Sequence, residues 1–87
     1  MALIEVEAYA GAGYPERPLR VLWRGRWHRV LSVEHQYQEP DRRCFIVLLE
    51  SPATELGDIR LRLCYHYANN VWQAEPLAGR SEDGKGD

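Results

Sequence analysis

Between Arg17 and Arg29 the chain carries five arginines and two tryptophans, in the order Arg17, Arg20, Trp23, Arg24, Arg26, Trp27, Arg29, with His28 among them. A guanidinium pairs with phosphate through two parallel N–H donors, and an aromatic face at a loop tip stacks on an unpaired base. This is the composition that a contact with single-stranded nucleic acid uses. Arg20, Trp23, Arg24, Arg26 and His28 are the residues expected to make it. The same string also suits a solvated sheet face, with arginine stems covering tryptophan rings. The net charge of −2 over 87 residues means that acids elsewhere balance the cluster, so a module that binds a protein partner is the alternative.

Other chemistries find less support. Cys64 and His66 lie two apart on one strand face, where they could begin a metal site that His28, His35 or Cys44 completes. There is no Cys-x-x-Cys pair and no histidine at finger spacing, so neither a metal nor another cofactor is expected. Cys44 or Cys64 with a histidine base, or Ser32 near His28 or His66, would be the nucleophiles of a covalent mechanism. A thiol inside an apolar run is inert, however, and Glu5 and Glu7 simply flank an alternating strand. The chain is not expected to be an enzyme. In a reducing compartment the two cysteines read as buried free thiols.

These residues must be carried by strands. Ile4, Val6 and Ala8 alternate with Glu5 and Glu7, and a glycine- and proline-bearing loop follows, which predicts a first strand at a sheet edge. Leu19–Leu22 and Trp27–Tyr37 flank Trp23-Arg24-Gly25 and read as a hairpin. A three-residue loop with Gly25 in the left-handed conformation pairs Val21 with Trp27, so that Leu19, Val21, Trp27, Leu31 and Val33 share one face. Arg20, Arg26 and His28 then point the other way. A two-residue turn pairs Val21 with His28 instead and divides the apolar residues between faces, so the longer loop is preferred.

Cys44–Leu49 is a continuous apolar run of strand length, expected at the centre of the sheet and covered on both faces. From Ile59 to Tyr67 apolar residues alternate with Arg60, Arg62, Cys64 and His66, Asn69-Asn70 marks a turn, and Val71–Ala74 returns with Trp72. Tyr65, Tyr67 and Trp72 fall on the inner face of this closing hairpin. The segment from Ser51 to Leu56 has room for a single helical turn. Residues 78–87 have almost nothing to bury and are expected to be a disordered tail. The expectation is one all-β domain over residues 1–77, an antiparallel curled sheet or barrel of about five or six strands.

The string Leu22-Trp23-Arg24-Gly25-Arg26-Trp27-His28-Arg29-Val30, with Val33, Tyr65-x-Tyr67 and Trp72 after it, resembles a small uncharacterised bacterial family. Its members share a Trp-Arg-Gly-Arg-x-aromatic-Arg-Val hairpin, a later aromatic strand and a closing tryptophan, over about residues 18 to 77 of this chain. Such domains occur alone and as tails of lesion-bypass DNA polymerase-like proteins, which implies an accessory role near DNA. The resemblance brings no catalytic residues.

No basic, apolar leader opens the chain and no apolar run reaches membrane-spanning length, so a cytoplasmic protein without a membrane contact is expected. Like charges at Glu5 and Glu7 oppose pairing of two first strands, which predicts a monomer or a weak dimer.

Overall fold

Leu61, Leu63 and Tyr65 alternate with Arg60, Arg62 and Cys64, and only a period-two backbone puts the first three on one side. The computed structural model describes residues 2–10, 15–51 and 59–77, and in it this segment is strand β5 (Ile59–His66), with those three residues buried. The others are β1 (Ala2–Ala10), β2 (Pro15–Trp23), β3 (Arg26–Glu39), β4 (Arg42–Leu49) and β6 (Val71–Pro76). All six pair antiparallel with their neighbours in chain order and close into a barrel. Among the described residues there is no helix, hence none long and apolar enough to cross a membrane. The tail expected at 78–87, the loop at 11–14 and the turn after Ser51 lie outside the described residues.

Two strands close the barrel by changing partners. β1 pairs with β6 from Ala2 to Ile4 and with β2 from Glu5 to Ala10. β3 pairs with β2 from Arg26 to Arg29 and with β4 from Val30 to Glu39. Register shifts opposite Glu7–Ala8 and Tyr9–Ala10 leave Leu19 and Glu16 as extra residues in β2, and those between Val30 and His35 leave Leu31 and Glu34 as extra residues in β3; these bulges bend β2 and β3 from one wall to the next. The first strand is therefore an edge only in part: its opening residues Ala2–Ile4 form the seam with β6, whereas Glu5–Ala10 has β2 alone beside it among the described residues. Beyond Val30, β3 has a neighbour on one side only among the described residues.

Inside the barrel lie Val21, Phe45, Val47, Leu49, Leu61, Leu63, Tyr65, Trp72 and Ala74. Phe45 and Tyr65 pack their rings 5.9 and 5.3 Å from that of Trp72, within the range of tilted aromatic pairs. The central apolar strand is β4, whose inner residues are fully covered; on its outer wall Cys44 is buried, but Ile46 and Leu48 are only half-buried.

Two further expectations are corrected. The β2–β3 connection is a two-residue turn, with Trp23 opposite Arg26, Leu22 opposite Trp27 and Val21 opposite His28. Arg24 and Gly25 both have positive φ, 52° and 84°, the type I′ geometry whose twist matches that of the flanking strands. Trp27 consequently faces outward, 41% exposed, while His28 points inward; Leu19 and Leu31, extra residues of the β2 and β3 bulges, are also exposed, at 43% and 52%. The barrel tolerates this division because β4, β5 and β6 supply most of its core. Nor are the cysteines free: Cys44 and Cys64 stand directly opposite each other on β4 and β5, Cα atoms 4.1 Å apart, and form a disulfide.

Candidate functional site

The hairpin sorts its arginines by face. On the outer wall Arg20 donates from Nε and Nη2 to the two carboxylate oxygens of Glu7, at 2.9 and 2.8 Å, across the β1–β2 pair. Its guanidinium carbon lies 5.0 Å over the ring of Trp27. The hydrogen bonds from Arg20 hold the Glu7 carboxyl below its ordinary value, and those to Glu7 raise Arg20 above its own. A carboxylate of lowered pKa supports the folded state at neutral pH and loses that contribution as pH falls through the folded value. Arg29 is likewise matched, its Nε 3.5 Å from Glu50 Oε1.

His28 has left the surface. It is 6% exposed, and its Nδ1–H donates to the main-chain oxygen of Glu50 at 2.8 Å, the tautomer being set by a carbonyl that can only accept. The Glu50 N–H donates in turn to the Arg29 oxygen at 2.8 Å, continuing the β3–β4 ladder. His28 thus gives the inner wall a satisfied polar group and cannot touch a ligand at the hairpin surface.

At the tip, Trp23 is half-buried against the core, and the guanidinium carbon of Arg24 lies 5.1 Å over its ring. Arg24 and Arg26 are exposed, and neither has a carboxylate partner among the described residues. Arg17 also lacks one, but it stands seven residues back along β2, about 20 Å away at strand rise. Of the five residues singled out in the sequence, the structure therefore gathers Trp23, Arg24 and Arg26. Arg20 is committed to Glu7, and His28 is buried.

Trp27 belongs to the exposed surface, which the sequence reading missed by placing it in the core. The available signal was the two-residue alternative for the turn at Arg24-Gly25, since it puts Trp27 on the face opposite Val21. Among the described residues no three His, Cys, Asp or Glu side chains gather as a metal site, and the thiols considered as ligands are bonded to each other. Compared with known proteins, the chain matches no family model, no curated protein and no solved structure.

Proposed function

We propose that this small barrel is a non-catalytic binding module that contacts single-stranded nucleic acid with the tip of its β2–β3 hairpin. The observation that carries the reading is the unequal treatment of the hairpin's cations. Those at its root are matched by Glu7 and Glu50, whereas Arg24 and Arg26 project from the turn with no acid beside them among the described residues. Trp23 backs them with an aromatic surface. An exposed guanidinium is free to take a phosphate, and one already stacked on an indole is partly ordered for that contact. An accessory role near DNA, which the hairpin's resemblance implies, accords with this chemistry.

The test is fluorescence anisotropy of a labelled deoxythymidine oligonucleotide titrated at several salt concentrations. Two phosphate contacts predict a log–log salt slope of about −1.4, and Arg24→Ala or Arg26→Ala should each remove about half of it. His28→Gln should leave the slope unchanged. Absence of binding at low salt, or a slope indifferent to both arginines, defeats the proposal.

A protein-interaction role draws support from a different place, the edge of β3 that has no strand beside it among the described residues. Grooves of about 490 and 550 Å³ run along it, one lined by Gln36, Tyr37, Gln38 and Arg43, the other by residues from Leu31 to Gln36, with Glu16 of β2 bordering both. An extended segment could hydrogen-bond to such an edge.

A further inference from the structure

A second surface is built at the root of the hairpin, on the outer wall, and its chemistry is the reverse of the tip's. β1 sets Leu3, Glu5 and Glu7 at alternate positions, and the registers place Glu5 opposite Leu22 and Leu22 opposite Trp27. Beyond the Ile4–Trp72 pair β1 parts from β6. The gap is a hollow of about 470 Å³, lined by Leu3, Glu5, Glu7, Trp27, Asn70 and Val71 among others. Leu3 is 71% exposed and Trp27 is 41% exposed, so apolar surface stands open on a wall that carries two carboxylates.

The molecule displays what this surface selects. Arg20 lies over the Trp27 ring while both oxygens of Glu7 grip its guanidinium, a planar cation held between an indole and a carboxylate. Glu5 repeats the position of Glu7 one pleat along β1, about 7 Å away, on the side where the hollow opens. It has no cationic partner among the described residues. An indole flanked by a carboxylate attracts a guanidinium through the ring's negative face and through paired N–H donors. A phosphate there would meet the unmatched carboxylate of Glu5.

We infer that this hollow receives an arginine side chain from a protein partner, with the guanidinium against Trp27 and paired to Glu5, and the stem against Leu3 and Val71. The site is separate from the hairpin tip and does not depend on the nucleic-acid reading.

The experiment follows backbone amides and tryptophan indole N–H signals by NMR in the intact chain during titration with acetyl-Gly-Arg-Gly-amide, with Trp27→Phe identifying the Trp27 indole. The expected result is a saturable shift of the Trp27 indole and the Glu5 amide, absent with the neutral citrulline peptide and weakened by salt. Glu5→Gln should lower the affinity roughly two- to fivefold, the scale of one exposed charge pair, while Glu16→Gln leaves it unchanged. Equal response to arginine and citrulline, indifference to Glu5→Gln, shifts confined to Trp23 or to Gln36 and Gln38, or no shift at all would each overturn the inference.

Discussion

Arg24 sits at φ 52°, where an L side chain other than asparagine or aspartate is disfavoured by about 1 kcal/mol. Asparagine and glycine are the residues that type I′ turns favour at this position. Arg24→Asn should accordingly raise the unfolding free energy by about 0.5–1 kcal/mol in a urea titration while weakening oligonucleotide binding. A variant that loses stability would mean that the stacking of Arg24 on Trp23 outweighs the turn preference. The hairpin itself was legible, since Gly25 between two strand-like runs announces a turn. Its length was not, because the choice between two and three loop residues rested on which register buries Trp27. That choice belongs to the rest of the barrel: β4, β5 and β6 already fill the interior, and the Glu50 carbonyl, far along the chain, satisfies His28.

At the scale of the strand, alternation in the sequence shows that a strand exists but not which of its edges is covered. The glutamates of β1 suggested a guarded edge, and beyond Ile4 that side of β1 is indeed left by β6; among the described residues a second open edge lies on β3, whose sequence His35-Gln36-Tyr37-Gln38 bears no proline and no carboxylate. Its hydrogen-bonding groups can be assigned from the pairing geometry. The 4.1 Å Cα separation of Cys44 and Cys64 marks a non-hydrogen-bonded pair, so Cys44 turns its backbone groups toward Tyr37 of β3. Gln36 and Gln38, one residue to either side, must then direct theirs away from β4, into the open groove. Hydrogen exchange should therefore alternate along this stretch, slow at Tyr37 and fast at Gln36 and Gln38, even though all three lie within one strand. Uniform protection across the three would show that something covers the edge. The bulges that free this edge had no signature in the sequence, since they follow from closure of the whole sheet.

For the molecule as a whole, the small antiparallel barrel was readable from the number and spacing of strand-like runs, because a single short sheet must curl to cover its own apolar face. The disulfide was not. Cys44 and Cys64 are 20 residues apart, and only the β4–β5 register, which the sequence leaves open, brings them face to face. Closing a loop of that size should stabilise the fold by about 3 kcal/mol, so reductant should lower the urea midpoint of the native chain and leave that of a Cys44→Ala/Cys64→Ala variant where it is. A native chain that ignores reductant would restore the free-thiol reading. The seam between β1 and β6 has its own consequence. Each of the other pairings joins strands adjacent in the chain, and this one sets Ala2 beside Ala74. In connectivity the barrel is thus a ring with one missing link, and nothing in its pairing privileges the place where that link is missing. A short tether from Leu77 back to Ala2, with new ends cut between β4 and β5, would preserve all six pairings. The present seam would become an ordinary hairpin, and β4–β5, held by the disulfide, would become the closure.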